Sequence, residues 1–525
     1  MPTKKIIPKS VSKKSAKFRV TELSTWWLLP ILAFGVYLRF YNNTAVALWH
    51  DEAFSALYVR DYSWHEMMYR IGLDVHPPLY YILLKLWTYV TGTGLLSLRG
   101  FSILFGTLTI WAAYLFVKKA FGSQRLALFS ALLIAINPFQ AQYSLEARMY
   151  TLGTFLILLS SYFLFRALET QKIKHWLIYG VLAAACIYTH YYLIFSVAAQ
   201  GLYLIYWLFK HKQVNWQWYK NATVRTVGAY VFAFILFVPW LGQFLVQKGR
   251  VDAAYWIPPL DRWSIPGTIW TMIFGGQGIR HLIQIIATIV ALVAIYLFLR
   301  RGKAEIKWFI ALSILVPFVL SIFLSLQTAI YQERYFVFTS VFFTILVAAV
   351  VDMIPKPTVR QVLSSVFVVA LIFTFYKNWY DMGVENIFFN RTVDKKPGMA
   401  AAAAEVNEYA RPGDKIYVGS SFVYFTFRYY NQTGIHPELI SSGPLSTIPH
   451  FSGTALLSAD DLVLTDTIFN HPEVQTNDTV WLVWTTGFGS NKPNVPGNWD
   501  TVQEQVYPDT PGFKGDIYIT EYHVN

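Results

Sequence analysis

Residues 41–81 read YNNTAVALWHDEAFSALYVRDYSWHEMMYRIGLDVHPPLYY and begin where the first long apolar segment of the chain ends. Two adjacent carboxylates, Asp51 and Glu52, follow that segment closely. The whole chain has 525 residues, of which 55% are hydrophobic and only 14% are charged. A soluble domain is typically about one quarter charged, so the composition predicts a polytopic membrane protein. The two acids are then expected at the edge of a membrane-spanning segment.

Eleven apolar segments have the length and composition of transmembrane helices. They lie at about 25–40, 98–117, 126–139, 150–165, 176–188, 191–209, 224–246, 282–299, 308–326, 335–351 and 362–376. The first follows a basic segment but has no small-residue cleavage site after it, so we expect a retained span rather than a signal peptide. Residues 77–92 form a further apolar stretch that is short and contains Lys85. We expect it to be a helix at the outer membrane surface, because a twelfth span would move the basic loops outside.

The distribution of Lys and Arg predicts the topology. With eleven spans and a cytoplasmic N-terminus, the cytoplasmic segments hold 23 of the 43 Lys and Arg residues, as the positive-inside rule requires. This predicts a basic cytoplasmic N-terminus at 1–24 and a transmembrane module at 25–379, with a large outer loop at 42–97. Residues 380–525 lose the long apolar runs and hold 17 acidic against 8 basic residues, which predicts a separate extracytoplasmic soluble domain.

The C-terminal region has the pattern of a small α/β domain. Residues 396–410 predict a helix and 411–414 a turn. Residues 415–419, 479–484 and 516–524 predict strands. The predicted fold class is therefore an all-α polytopic membrane protein of about eleven transmembrane helices with a C-terminal soluble α/β domain.

Several ionisable residues fall in the predicted outer loops, and each allows two interpretations. Asp51 and Glu52 either cap a helix N-terminus, which the helix dipole favours, or one of them acts as a general base whose pKa is raised by apolar surroundings. His76, two residues after Asp74, either orients substrate, binds a metal or is an ordinary loop residue. His190 falls in a tight turn between two spans.

Two loops also combine an acid with an arginine. Glu146 and Arg148 precede the fourth span, and such a pair either anchors a helix end or marks a functional site. Glu333 and Arg334 precede the tenth span, where the arginine either binds a phosphate bidentately or anchors the helix. The sequence contains no P-loop, no cysteine spacing typical of a metal site and no GxGxxG fingerprint.

The order of these motifs resembles the GT-C glycosyltransferases, in particular the protein O-mannosyltransferase and aminoarabinose-transferase-like group of glycosyltransferase family 39. The matching stretches are WHDEAFSA, HPPLYYILLKLW, NPFQAQYSLEARMYTLG, YTHYYLIFS and ERYFVF, and they cover roughly residues 25–350. The resemblance implies an enzyme that transfers a sugar from a polyprenyl-phosphate carrier, with inversion, to an acceptor outside the membrane. It implies no sugar nucleotide and no nucleic acid partner.

The resemblance also implies roles for individual residues. Asp51 would be the catalytic base, with Glu52 and Glu146 as further catalytic acids. Substrate would be bound by the residues of the other motifs, namely His76, Lys85, Arg148, Tyr150, His190, Arg334 and Tyr335. Arg334 would stabilise the leaving lipid phosphate, with Lys85 as a second candidate cation. Members of this superfamily differ in metal use, so the resemblance leaves open whether the protein uses a divalent metal, and it implies no other cofactor.

A rival hypothesis is a transporter or flippase of lipid-linked sugars. Transporters usually place their charges near the bilayer midplane on broken helices, whereas the predicted spans here are nearly free of charge. A catalytically silent scaffold is a further alternative, although acids in three separate outer loops speak against it. The acceptor (a protein, a lipid or a glycan) and the sugar stay open.

Overall fold

The structure is a computed structural model, and it describes residues 24–525 except 42, 213–215, 277–279, 304, 381–397, 471–472 and 509–514. The predicted cytoplasmic segment 1–24 lies outside the described residues, apart from Ser24. Residues 381–397, at the start of the predicted C-terminal domain, lie outside them as well.

The first part of the chain is helical. In order, the helices are α1 (Leu28–Phe40), α2 (His50–Asp61), α3 (Trp64–Leu73), α4 (Leu79–Thr91), α5 (Leu95–Phe121), α6 (Gln124–Ala135), α7 (Pro138–Ser144), α8 (Tyr150–Thr170), α9 (Ile173–Thr189), α10 (Leu193–His211), α11 (Trp216–Ala253), α12 (Ser264–Phe274), α13 (His281–Arg301), α14 (Ile306–Ser325), α15 (Val337–Asp352) and α16 (Pro357–Tyr380).

Within the described residues, eight helices are long and apolar enough to cross a membrane: α5, α8, α10, α11, α13, α14, α15 with the turn before it, and α16. The pair α6 and α7, bent by 59° at its break, forms a ninth span if it is counted as one. The shorter apolar helices α1 and α9 complete the set of eleven predicted segments. The predicted all-α polytopic fold is therefore confirmed.

The bundle has a buried centre and an apolar outer surface. About four fifths of α15 is buried, whereas α11, α13 and α16 bury less than a quarter of their lengths and expose apolar side chains. Helices that are apolar all round suit either a protein core or lipid. At the centre, a Cβ at Gly153 of α8 would lie 2.6 Å from the Phe338 ring of α15, so the close approach of these helices needs glycine.

Helices α2 to α4 form the predicted outer loop. Helix α4 begins directly after Pro77 and Pro78 and has 13 residues, which is too short to span a bilayer that needs about 20. The proline pair restricts the chain before it and so defines the start of α4. The prediction of a separate short helix here agrees with the structure.

The C-terminal region forms a mixed sheet with helices. Its elements are α17 (Gly398–Tyr409), β1 (Lys415–Val418), α18 (Ser421–Tyr430), β2 (Pro437–Ser441), β3 (Leu462–Leu464), α19 (Thr465–Asn470), β4 (Thr479–Thr485), β5 (Trp499–Tyr507) and β6 (Ile517–Val524). The strand order is β3-β2-β1-β4-β6-β5, with the first four strands parallel and the last two antiparallel to their neighbours. The three predicted strands are β1, β4 and β6. Helix α18 packs on α2, so the sheet region adjoins the outer loop.

Candidate active site

A polar cavity of about 70 Å³ lies at the N-terminal end of α2. Segments far apart in the sequence line it: the start of α2, residues 74–76, and the residue pairs Arg148 with Tyr150, Tyr255 with Trp256, and Arg334 with Tyr335. The loop at 450–453 in the C-terminal region completes the wall. Six of the ten predicted site residues therefore line this cavity: Asp51, His76, Arg148, Tyr150, Arg334 and Tyr335.

Asp51 is one of the two carboxylates that line this cavity. Its Oδ2 accepts a hydrogen bond of 2.9 Å from Arg334 Nη1. The Arg334 guanidinium lies between the rings of Trp49 and Trp256, at 5.4 and 5.3 Å from their centroids. Such cation–π contacts orient a guanidinium without neutralising it. The side chains of Asp51 and Arg334 remain 27% and 18% exposed, so a ligand can reach both members of the pair.

Arg148 belongs to a second cluster of polar contacts in the cavity, together with His76 and Asp74. Its guanidinium donates to the backbone oxygen of Asp51 and to the Tyr81 hydroxyl, each at 3.2 Å, and lies 3.3 Å from His76 Nε2. A guanidinium only donates, so Nε2 of His76 accepts. The imidazole proton is then on Nδ1, which donates to Asp74 Oδ2 at 3.1 Å. This chain of contacts fixes the orientation of the His76 ring.

The electrostatic environment keeps Asp51 ionised. Burial alone would raise the pKa of Asp51, but the guanidiniums of Arg148 and Arg334 outweigh it and hold the pKa below its ordinary value. The expectation that apolar surroundings raise this pKa is therefore wrong. The reason is that two cations approach the carboxylate, and opposite charges at short range favour its charged form.

Glu52, the neighbour of Asp51, has a different environment. Its carboxylate is fully buried and accepts two hydrogen bonds from Arg99, at 2.8 and 2.7 Å. It also accepts from the backbone N–H groups of Ala147, at 2.8 Å, and Trp49, at 3.4 Å. Glu52 is not among the residues that line the cavity. The helix-capping interpretation thus applies to Glu52, and its geometry does not favour the catalytic role assigned to it from the sequence.

Arg99, the partner of Glu52, also contacts the loop that precedes α2. Its guanidinium donates to the backbone oxygens of Asn43, Val46 and Ala47. The pair therefore ties together the loop before α2, α2 itself and the segment after α7. Sequence reasoning missed Arg99, although an arginine inside an apolar segment was a signal that could have found it.

Glu146 lies behind the cavity rather than in its wall. It is buried, and its Oε2 has no hydrogen-bond partner among the described residues. Burial raises the pKa of Glu146 well above its ordinary value, the nearby Arg334 opposes this, and Glu52 and Asp51 add to it. Glu146 is not among the residues that line the cavity, so its position does not favour the catalytic role expected from the sequence.

Tyr150 and Tyr335 line the cavity, and the His190 ring lies beside both of them without lining the cavity itself. The His190 ring lies 4.8 Å from the Tyr335 ring and 6.0 Å from that of Tyr150. His190 Nδ1 accepts the backbone N–H of Tyr192 at 3.1 Å, so its proton is on Nε2. Burial lowers the pKa of His190 well below its ordinary value, and the surrounding cations contribute. The position of His190 outside the polar cavity does not place the ring against a ligand there, contrary to the expectation from the sequence.

Lys85 lies outside the cavity. Its ammonium group donates to the backbone oxygens of Val59, at 3.3 Å, and Tyr62 near the C-terminal end of α2. It is 4% exposed. Lys85 therefore holds α4 against α2, and the geometry does not favour the phosphate contact expected from the sequence.

An apolar groove of about 240 Å³ adjoins the polar cavity. It runs between the segment after α9, the outer part of α11 and the end of α14, and apolar side chains form most of its surface. Four residues line both spaces: Val75, His76, Tyr255 and Tyr335. Lys248 lies at the groove as well. The arrangement suits a ligand with a long apolar part and a polar end.

The carboxylates of the polar cavity already have partners. Asp51 and Asp74 are its carboxylates, and they bind Arg334 and His76 respectively. In the part of the chain that the structure describes, no group of three or more His, Cys, Asp or Glu side chains is arranged to hold a metal ion.

One family profile matches part of the chain in sequence. The sequence profile of the dolichyl-phosphate-mannose-protein mannosyltransferases matches residues 75–242. This segment begins just before the HPP motif and ends in α11. No curated protein is significantly similar to the chain in sequence.

Comparison with solved structures identifies the fold. ArnT from Cupriavidus metallidurans bound to undecaprenyl phosphate has a TM-score of 0.60 and 12% identity, over 95% of this chain and 98% of ArnT. The arabinofuranosyltransferase AftD from Mycobacteria has a TM-score of 0.54 and 14% identity, over 96% of this chain and 40% of AftD. The Archaeoglobus fulgidus oligosaccharyltransferase, in complex with Zn and sulfate, has a TM-score of 0.50 and 12% identity, over 78% and 62%. The chain therefore has the fold of the GT-C membrane glycosyltransferases, and its residues 75–242 match the dolichyl-phosphate-mannose-protein mannosyltransferase family, as the motifs of the outer loops predicted.

Proposed function

We propose that this protein transfers a sugar from a polyprenyl-phosphate-linked donor to an acceptor hydroxyl at the extracytoplasmic face of a membrane. The observation that carries the proposal is the junction of an apolar groove with a cavity that contains an accessible carboxylate–guanidinium pair. The groove would hold the prenyl chain, and the cavity would hold the phosphate and sugar. The undecaprenyl phosphate bound by the structurally similar ArnT supports this choice of carrier.

Arg334 and Arg148 would have different roles at the cavity. Arg334 is the accessible cation, and it is fixed by two indole rings while its partner Asp51 is only partly buried. A lipid phosphate entering from the groove would compete with Asp51 for this guanidinium. Arg148, which holds His76 and the backbone of Asp51, would keep the carboxylate in place during the exchange.

Asp51 would then act as the base. Once Arg334 turns to the phosphate, Asp51 loses part of the charge that lowers its pKa and becomes a stronger proton acceptor. It removes the proton from the acceptor hydroxyl as that oxygen bonds to the anomeric carbon. The bond from this carbon to the phosphate oxygen breaks, and polyprenyl phosphate leaves with its negative charge stabilised by Arg334.

The charge distribution along the chain supports the extracytoplasmic orientation in this proposal. The basic loops lie on the side opposite to α2–α4 when the eleven apolar helices alternate in direction. The packing of α18 from the acidic C-terminal region on α2 supports the proposal that this region lies on the same side of the membrane as the cavity. We propose that residues 380–525 form the extracytoplasmic domain and that 25–379 form the catalytic module.

The test uses purified protein in liposomes with radiolabelled polyprenyl-phosphate sugars. Asp51→Asn should lower sugar release or transfer by about 100- to 10,000-fold, the usual contribution of a general base. Asp61→Asn, at the other end of the same helix and outside the cavity, is the matched control. Equal release by wild type and Asp51→Asn would exclude Asp51 as the base. Labelled lipid that changes leaflet without any sugar release would favour the flippase hypothesis instead.

A further inference from the structure

The sequence predicts an active site formed by the membrane module alone, but the C-terminal region also contributes a wall to the cavity. His450, Phe451 and Gly453 line the cavity together with Asp51 and residues of the outer loops. They belong to a loop between β2 and β3, and residues His450–Ser452 form a short 3-10 turn. A region that sequence patterns describe as separate therefore reaches the candidate catalytic carboxylate.

Helix α18 anchors this region to the helix that carries Asp51. The Tyr430 hydroxyl accepts the backbone N–H of Leu48 at 2.9 Å. Arg60 of α2 donates to the backbone oxygen of Tyr429 at 2.8 Å, and the rings of Phe54 and Phe425 are 4.7 Å apart.

The loop itself is also held in place. Arg70 donates to the backbone oxygen of Ala455, and the Tyr62 hydroxyl donates to that of Leu456, each at 3.2 Å. Gly453 has a φ of +94°, and a Cβ there would lie 2.7 Å from the Phe54 ring. A side chain at this position would push the loop away from the cavity, so glycine permits the close approach.

The position of the loop determines which part of a donor it can meet. The apolar groove joins the cavity at His76, Tyr255 and Tyr335. A sugar attached to a phosphate at this junction must extend further into the polar cavity toward Asp51. The remaining walls there include Phe54 and the loop at 450–453.

His450 offers an unused hydrogen-bonding group at this wall. Its Nε2 is buried and has no hydrogen-bond partner among the described residues. Burial lowers the pKa of His450, the nearby Arg250 lowers it further and Asp74 opposes them. The imidazole is therefore neutral, and such a ring can exchange a hydrogen bond with a hydroxyl group in either direction, depending on its tautomer. A buried nitrogen without a partner is costly, which makes a ligand hydroxyl its natural complement.

We propose that the C-terminal region forms the sugar-facing wall of the active site and that His450 positions the donor by a hydrogen bond from its ring to a sugar hydroxyl. This inference rests on the proposed function, because it assumes a lipid-phosphate-linked sugar in the cavity. His450 is a positioning residue, and the proton transfer stays with Asp51.

The test compares binding of bare and sugar-carrying lipid to the full-length protein. Undecaprenyl phosphate and its mannose, glucose and arabinose conjugates are titrated into detergent-solubilised protein, and affinity is measured from ligand-dependent thermal stabilisation. His450→Phe keeps a ring beside Phe451 but removes the nitrogen, whereas His450→Gln keeps a hydrogen-bonding group. Ser452→Ala lies on the same turn outside the cavity wall and is the matched control.

The wild type should bind one sugar conjugate more tightly than bare undecaprenyl phosphate. His450→Phe should lose about tenfold in affinity for that conjugate, the size of one hydrogen bond, and none for the bare lipid. His450→Gln should recover part of the loss, and Ser452→Ala should match the wild type.

Three outcomes would overturn the inference. Undiminished affinity of His450→Phe for the conjugate would exclude the sugar contact and leave the acceptor as the partner of this wall. Equal loss for both lipids, or unfolding of both His450 variants, would indicate a purely structural residue. If the wild type binds bare lipid and no sugar conjugate binds more tightly, the proposed sugar contact alone is refuted. If the wild type binds no lipid at all, the proposed function itself is refuted.

Discussion

The buried pair of Glu52 and Arg99 permits a sharp test of whether Glu52 supports the fold or acts on substrate. Both side chains are at most 1% exposed, and two hydrogen bonds join them. Glu52→Gln replaces one acceptor oxygen by an N–H₂ group that faces a guanidinium and leaves the Arg99 charge buried without a counter-ion. Removing one partner of such a pair costs about 3–5 kcal/mol. We expect Glu52→Gln to lower the free energy of unfolding by that amount.

A double-mutant cycle measures the pair directly. Arg99→Met should destabilise the protein to a similar extent, because it leaves the Glu52 carboxylate without its cation. The double variant carries no buried charge, so its loss should be smaller than the sum of the single losses by about 2–3 kcal/mol. Unfolding is followed by tryptophan fluorescence during titration of the purified protein with SDS in mixed micelles.

The control is Glu66→Gln, which breaks a partly exposed pair with Arg70 on α3. Exposed pairs contribute at most about 1 kcal/mol, so this variant should unfold almost like the wild type. Folded Glu52→Gln protein should retain substantial sugar release. A variant with wild-type unfolding energy and no sugar release would refute the structural role and restore Glu52 as a catalytic group.

Two further predictions concern the cavity and its outer wall. In the protein without substrate the pKa of Asp51 lies below its ordinary value of 3.8, so kcat/KM, which reports the free enzyme, should fall as the pH drops through that pKa and the carboxylate is protonated. Arg334→Gln removes one of the two cations and should move this acid limb to higher pH; a pH–rate profile with an unmoved limb would contradict the assigned role of the pair. Gly453→Ala should reduce sugar release and cost about 1–3 kcal/mol more than Gly434→Ala, because both glycines have positive φ but only Gly453 lacks room for a Cβ. Thermal unfolding and release assays check this, and equal effects of the two variants would show that the loop does not depend on close approach.

The sequence predicted the architecture well because membrane helices depend on local composition. An apolar run of sufficient length must form a helix in lipid, where backbone groups have no other partners. The prolines before α4 and the apolar strands β1, β4 and β6 are equally local signals. The sequence predicted the exposed spans α11 and α16 as well as the buried span α15, because the prediction uses apolar composition and not burial.

The sequence also indicated where the site lies but not how its residues divide their roles. The motifs containing Asp51, His76, Arg148 and Arg334 were each found in a predicted outer loop, and the structure brings all four to one cavity. The apolar groove beside it could not be read from the sequence, because its lining comes from several helices and from loops between them.

Adjacent residues illustrate what only the tertiary structure decides. Asp51 and Glu52 are neighbours in the sequence, yet successive side chains on a helix point about 100° apart. One therefore meets Arg334 in an accessible cavity and the other meets Arg99 in the core. Their roles depend on those partners, which come from distant segments of the chain. His450 reaches the same cavity from the C-terminal region, where nothing in its local sequence marks it. Local composition thus determined the helices and strands, whereas long-range packing decided which charges meet, because electrostatic interactions depend on distance in space rather than along the chain.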